Sequence, residues 1–365
     1  MLFSHFSHVW GKRGMSAQQR YDQLWRELKL CDELGFDHSF CVEHHFRHDE
    51  SWMAAPMLYA VAAGVQTKRI RPGSMGAIVP LHHPVRLVEE IAIADQMLGG
   101  RLEVGLVGGI QPLYFGPFDG DFPNRRERLK EFVRFLKAAY ADPDATRPFS
   151  FDGPFTKQAD LRLAVKPAQR PHPPLWIETR DPATLEFCAQ EGVDAGYFFF
   201  FSREAARPRY QKFIADWKKA GWARKPRVAY CSLVYVDETD EKALKVAREH
   251  FGGAYRGFFP PADSPEELRE HQLEHAALFR QRGEPSAAEI VENLLNSDYI
   301  IEKELGLVGS PETVARKLRA WADYGVFNTF FGEFNFAQLP EENLMRSIRL
   351  FGEKVMPKLR DFEPF

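Results

Sequence analysis

Cys41-Val42-Glu43-His44-His45-Phe46 puts a carboxylate and two adjacent imidazoles where an alternating apolar stretch from Phe36 gives way to a polar loop, Arg47 to Ser51. Carboxylates and imidazoles exchange protons near neutral pH, so the chemistry on offer is proton transfer. Neighbours on an extended strand point to opposite faces, which sets Glu43 and His45 on one side and His44 on the other. One imidazole can then face a pocket while the other is held in the structure; the alternative is a polar strand end with a satisfied core histidine. A metal is not expected, because His44, His45, His82 and His83 stand as adjacent pairs, not at the one-face spacing that chelation on a helix prefers.

Other stretches offer a surface to a ligand. Arg71 to Pro80, with Gly73, Ser74 and Gly76, packs small residues into a strand end, where glycine marks close approach of backbone or ligand, and Gly108-Gly109 repeats the feature on the next strand. Something flat could lie against both. Arg125, Arg126, Arg128 and Lys130 open a helix whose dipole they oppose, so they call for an anion or for Glu127 and Glu131 as partners. The run Tyr197-Phe198-Phe199-Phe200-Phe201 reads as strand, and the half of its rings facing outward can wall an apolar pocket.

The elements that position these groups alternate. Strands are expected at Leu2–Trp10, Phe36–Val42, Ile70–Val79, Arg101–Val107, Pro173–Glu178, Val193–Phe201, Arg227–Val236 and Phe327–Phe331. Between them fall helices at Ser16–Leu34, Met53–Val65, Val85–Leu98, Asn124–Tyr140, Asp181–Gln190, Arg203–Ala220 and Glu238–Phe251, the last begun by Asp237, and a closing helix spans Leu339–Leu359. Strand-helix alternation argues for parallel strands joined by right-handed crossovers, and the count suits an α/β class (β/α)8 TIM barrel with insertions. Pro148–Pro167 reads as a hairpin insertion around Asp152-Gly153. The whole chain, 1–365, is expected to be a single barrel domain, with a lid or insertion at 252–304 where the regularity breaks.

A hydrophobic share of 44% and a charged share of 27% are globular values, and a net charge of -3 gives no general attraction to nucleic acid or to a membrane surface. The expected partner is a small molecule. Cys31, Cys41, Cys188 and Cys231 lie far apart, with no redox or metal-ligand spacing, and read as reduced core residues. No signal-peptide pattern or membrane span is seen, so a cytoplasmic protein is expected.

In order along the chain, Glu43-His44-His45-Phe46, Gly73 to Arg86 with Pro80 and His83-Pro84-Val85-Arg86, Asp95-Gln96-Met97 with Gly99-Gly100-Arg101, Leu307 to Val314, and Phe331-Gly332-Glu333-Phe334 resemble the bacterial luciferase-like flavin-dependent monooxygenases. The resemblance implies an oxidoreductase on a luciferase-like barrel that takes reduced FMN as a co-substrate from a separate flavin reductase. O2 would add at flavin carbon 4a, and the hydroperoxide would oxidise a small, apolar organic substrate. It makes His44 catalytic, with Glu43 and His45 beside it, and puts a non-proline cis peptide at Met75-Gly76 against the flavin. Flavin contacts are expected from Ser74, Met75, Gly76, Gly108, Gly109, Phe198 and Phe199.

The sequence departs from the luciferases at the phosphate. They carry arginine at Gly108 and a Glu-Ser pair at Arg180-Asp181, while Thr184 matches their threonine. Arg180, helped by Arg126, is expected to supply the charge, with Asp181 as helix cap. The resemblance also implies a homodimer; it does not imply light emission. Two other readings stay open: a deazaflavin-dependent hydride-transfer oxidoreductase on the same barrel, and a non-catalytic flavin-binding relative.

Overall fold

The computed structural model describes residues 1–365 apart from Phe200 and Arg282. From the N-terminus come β1 (Leu2–Ser7), α1 (Ala17–Leu34), β2 (His38–Cys41), α2 (Pro56–Gln66), β3 (Arg71–Ser74), β4 (Ala77–Ile78), α3 (Pro84–Met97), β5 (Val104–Val107) and α4 (Arg125–Tyr140). An antiparallel hairpin, β6 (Phe149–Asp152) and β7 (Lys157–Leu161), stands apart from the main sheet as expected. Then follow β8 (Leu175–Glu178), α5 (Pro182–Glu191), β9 (Asp194–Phe198), α6 (Arg203–Lys219), β10 (Val228–Val236) and α7 (Asp240–Ala254). The chain ends with α8 (Pro265–Gln281), α9 (Pro285–Asn293), α10 (Ser297–Glu302), β11 (Leu307–Gly309), α11 (Pro311–Gly325), β12 (Thr329–Glu333), α12 (Glu341–Leu350) and α13 (Met356–Leu359).

The main sheet runs β3-β2-β1-β12-β10-β9-β8-β5-β4, all parallel, with β11 added beside β10. Its two end strands are halves of one expected strand. The run Ile70–Val79 is not continuous: it breaks at the Met75-Gly76 peptide, which is cis, so β3 pairs with β2 and β4 pairs with β5. A bridge between Gly73 and Glu103 and a hydrogen bond from Ser74 Oγ to the Gly105 carbonyl, 2.9 Å, tie the seam and close the barrel. The seam needs glycine on both sides, since a Cβ on Gly73 would meet the Glu103 carbonyl at 2.4 Å and one on Gly105 would meet the Ser74 carbonyl at 1.8 Å.

Local signals set most helix ends. Ser16 caps α1 in a capping box with Gln19, and Gly35 ends it with φ of 81°. Asp181 and Ser310 cap α5 and α11, each followed by proline at the first helical position. The expected cap at Asp237 is not used: Thr239 caps α7, while Asp237 is buried, accepting the Tyr235 hydroxyl at 3.0 Å and pairing with Arg346 at 3.1 Å. A π turn, Phe351–Val355, interrupts the expected closing helix. The expected sixth strand stops at Phe198; Phe199 and Phe201 are buried beyond it, and Phe200 lies outside the described residues. No helix among the described residues is long and apolar enough to cross a membrane.

The barrel interior holds Phe6, Phe40, Val42, Met75, Trp176, Ala229, Cys231 and Phe331, with Phe40 stacked on Phe331 at 4.6 Å. This plug fills the barrel interior. The period of two along each strand then decides which side chains point inward: Trp176 does on β8, so Glu178 does as well, one layer nearer the C-terminal end.

Candidate active site

The C-terminal ends of the barrel strands open into a cavity of about 430 Å³. His44 is on its wall. Its Nδ1 lies 2.7 Å from Glu50 Oε1, and Glu50 accepts the Tyr114 hydroxyl on its other oxygen at 2.9 Å. Glu50 is fully buried, which alone would raise its carboxyl, but His44, Tyr114 and Arg47 outweigh the desolvation and hold it below the ordinary carboxylate range. An ionised Glu50 accepts only, so the proton between them sits on His44 Nδ1, and Nε2 is left to the cavity.

The carboxylate on His44 is thus Glu50, from the polar loop, and not Glu43. Glu43 is buried and accepts from the Ile78 backbone at 2.8 Å, while its oxygens lie 3.0 Å from His45 Nε2 and 2.9 Å from His82 Nε2. Burial pushes Glu43 up, but His45 and His82 outweigh it and hold it low; the reciprocal field of Glu43 raises His82 against its own desolvation. Glu43 therefore pins the backbone just after the cis peptide. The expected division holds geometrically: Glu43 and His45 share one side and His44 takes the other. His45 packs on Phe118 at 4.9 Å and is not part of the cavity wall.

Met75, Gly76, Gly108 and Gly109 all line the cavity. Gly109 has φ of +83°, and a side chain there would also crowd Ile78 and Phe115. Ser74 is elsewhere: it is fully buried and its hydroxyl is committed to Gly105 across the seam. Phe198 and Phe199 reach the wall, joined by Tyr255, Phe258, Phe259 and Phe279 from the segment 252–304.

The residues expected at a phosphate line one side, already paired among themselves. Arg126 is 3.7 Å from Asp181, and Asp181 accepts both the backbone N–H and the hydroxyl of Thr184, at 2.9 and 2.7 Å. Arg180 pairs with Glu284 at 3.1 Å, whose second oxygen is buried without a hydrogen-bond partner among the described residues. Arg125, stacked over Phe122, also lines this side. Volume, bare peptide surface, apolar rings and clustered arginines fit a flat ring carrying a phosphate tail. Among the described residues no group of three or more His, Cys, Asp or Glu could hold a metal ion.

Three groups at the cavity were not singled out from sequence. His8, just past β1, pairs through Nδ1 with Glu333 at the end of β12, 2.7 Å apart. Glu178, at the end of β8, has its carboxyl pushed up to about 7 by burial, which Arg180 offsets only in part. Each lies at the C-terminal end of a barrel strand, the same position that marked Glu43 to His45, and that rule applied to every strand would have found them.

The sequence model described as luciferase-like monooxygenase matches residues 1–327. The oxygenase component of the flavin-dependent trigonelline monooxygenase of Acinetobacter baylyi is 26% identical over 255 residues, covering 68% of this chain and 69% of that protein. Another curated match, 31% identical, spans 53% of this chain and 55% of the relative's own length. Among solved structures, the oxygenating constituent of the 3,6-diketocamphane monooxygenase of Pseudomonas putida, a type II Baeyer-Villiger enzyme in complex with FMN, aligns with a TM-score of 0.78. That alignment has 19% identity and covers 98% of both chains. An F420-dependent secondary alcohol dehydrogenase aligns with a TM-score of 0.71 at 18% identity, over 99% of both chains. At such identities the structural likeness speaks for the fold.

Proposed function

From the premise that the chain belongs to the luciferase-like monooxygenase family, we propose that it is a reduced-FMN-dependent monooxygenase that uses O2 to oxidise a small, apolar organic substrate. Its flavin comes from a separate reductase, as the name "oxygenase component" of the trigonelline relative suggests. The observation that carries the reading is His44: a carboxylate fixes its Nδ1 at 2.7 Å, and its Nε2 is left to a cavity walled by bare peptide and aromatic rings.

Reduced FMN, when bound, supplies the two electrons with which O2 gives one oxygen atom to the substrate and leaves the other as water. The chain does the rest. Peptide groups at Met75-Gly76 and Gly108-Gly109 would lie against the ring, and Arg125, Arg126 and Arg180 with the Thr184 hydroxyl would hold the phosphate, in exchange for the pairs that Arg126 and Arg180 make with Asp181 and Glu284. Phe198, Phe199 and Phe258 exclude water, and His44 Nε2 takes and returns the proton. Segment 252–304 acts as the lid. A homodimer is supported by Leu58 and Val65 on α2 and Met97 on α3, large apolar side chains left 67–74% exposed on neighbouring helices, and sedimentation of the purified protein reads it.

The test is anaerobic titration with reduced FMN, then stopped-flow mixing with oxygen. Tight binding, oxygen use and a long-lived near-ultraviolet transient whose decay a substrate hastens are expected. His44→Gln should keep the flavin Kd within about threefold and lower kcat by roughly 100-fold or more. Binding of reduced deazaflavin instead, without oxygen use, would replace this reading with hydride transfer; oxygen use that no substrate alters would leave a flavin-binding protein.

A further inference from the structure

Outside the His44 pair, the cavity wall carries a second imidazole built in the same way. Glu333 Oε1 accepts three N–H groups: the His8 ring at 2.7 Å, the Trp10 indole at 2.6 Å and the His8 backbone at 3.2 Å. The backbone and indole N–H groups show that Glu333 Oε1 acts as an acceptor, which puts the shared proton on His8 Nδ1 and leaves Nε2 to the cavity. The ring is also locked by packing. Trp10 stacks on it at 4.4 Å with a 25° interplanar angle, and Phe258 meets it edge-on at 5.6 Å.

His8 is nearly buried, its side chain 5% exposed, and lines the same cavity as His44. The two rings are 5.5 Å apart between centroids and nearly perpendicular, at 87°. Each has Nδ1 tied to a buried carboxylate from a different part of the chain, Glu50 or Glu333, and neither Nε2 has a hydrogen-bond partner among the described residues. A structural histidine normally satisfies both nitrogens. Two that satisfy only the inner one, side by side on one cavity, are arranged for use.

Building on the monooxygenase reading, we propose that His8 is a second catalytic residue, acting with His44 as an acid–base pair in which Glu333 and Glu50 are the positioning residues. The balance of the reaction requires one proton to be delivered, and a second imidazole can then serve as a base toward the substrate. Substrate, O2, the reduced flavin anion and one proton enter; oxygenated substrate, water and oxidised flavin leave, with O2 taking four electrons, two from flavin and two from substrate. The consumed proton comes from one imidazole, which first takes it up from solvent at Nε2 and then, as the imidazolium held by its carboxylate, delivers it inside the cavity. The other keeps its lone pair for an O–H or N–H of the substrate, which points to substrates with an acidic hydroxyl, a ring N–H or an enolisable carbonyl, not plain hydrocarbons.

The test starts without flavin. In protein labelled with ¹⁵N at histidine, the imidazole nitrogens of both His8 and His44 are expected as Nδ1–H tautomers, and Glu333→Gln should redistribute the His8 proton while leaving His44 alone. An Nε2–H tautomer for His8, or one indifferent to Glu333→Gln, overturns the proposal whatever the flavin does. In turnover, His8→Gln should leave the reduced-FMN Kd within about threefold, lower kcat by roughly 100-fold and remove one limb of the pH-rate profile. Full kcat with both limbs intact also overturns it. If His8→Gln does not fold, Glu333→Gln takes its place, with a kcat loss but unchanged KM expected. A protein with the expected tautomers that does not bind reduced FMN upholds the pair and sinks the flavin reading instead.

Discussion

The two ends of the barrel differ in how many buried ionisable groups they leave without a partner among the described residues. At the N-terminal end, Glu103 holds Arg71 at 2.6 Å, Arg227 at 3.0 Å and the Trp176 indole at 2.6 Å, and Asp194 takes Arg227 at 2.8 Å and Arg224 at 2.6 Å. Burial works against the Glu103 charge, but Arg227, His38 and Arg71 overwhelm it and hold the carboxyl down at about 2. At the C-terminal end, Glu178 has no ion-pair partner among the described residues and is pushed up to about 7 by burial, with Arg180 opposing in part, while His8 and His44 each leave one ring nitrogen open. The N-terminal end pairs Glu103, Asp194 and their arginines with one another. The C-terminal end pairs some groups, with Glu43 held by His45 and His82, but keeps Glu178 and one ring nitrogen each of His8 and His44 for something that arrives, in line with the division of a barrel into a stabilising end and a reacting end.

Removing the hub of the paired end should have the largest effect. Arg227→Met leaves Glu103 and Asp194 buried with only their outer partners, and breaking a buried pair on one side costs about 3–5 kcal/mol. Urea unfolding at pH 7 should show that loss, whereas Glu178→Gln at the mouth should not destabilise at all. Equal losses at the two ends would erase the distinction.

The sharper version uses pH. Glu178 has a folded-state pKa above its unfolded value near 4.5, so the folded chain binds more protons in that interval. Its contribution is intact below about pH 4.5 and is lost as pH rises through about 7. Glu103 runs the other way: its contribution is present above the ordinary carboxylate range and is lost as pH falls through about 2. Glu178→Gln removes the cost of charging the group and should stabilise by about 1–3 kcal/mol at pH 8, discounted for its partial exposure, and by nothing measurable at pH 4.5. Thermal melts across that range check it. A gain independent of pH would mean that packing, not charge, separates the variant from the parent.

This contrast also explains what could be read from the chain. Strand-helix alternation, the glycine strand ends and the Glu43-His44-His45 run are local patterns, and the barrel, the Met75-Gly76 break and His44 in the wall all follow from them or from the family they resemble. What was missed is pairing across distance. Glu333 is 325 residues from His8, and Tyr114 is 64 from Glu50. No periodicity links such residues; only closure of the barrel brings β12 beside β1 and sets Glu333 by His8. Glu50 was in view only as part of a polar loop, because a loop's path cannot be inferred from its composition. The paired arginines at the phosphate side were legible as charges, but not as already bonded to Asp181 and Glu284.

The smallest expected effect lies at the seam between β3 and β4, where the two ends meet. Resemblance puts Ser74 among the flavin contacts, yet it is fully buried and its hydroxyl donates to the Gly105 carbonyl at 2.9 Å. That bond joins β3 to β5 at the point where the backbones come so close that only glycine fits at position 105. Ser74→Ala removes one neutral hydrogen bond without adding bulk, so it should cost about 1 kcal/mol in urea unfolding. The Kd for reduced FMN should stay within about twofold, since no atom of the cavity wall is lost. The opposite result, unchanged stability with a tenfold weaker Kd, would mean that the hydroxyl turns to the cavity when ligand is present. Ser74 would then belong to the mouth, and the line between the end that stabilises and the end that reacts would move one residue deeper into the barrel.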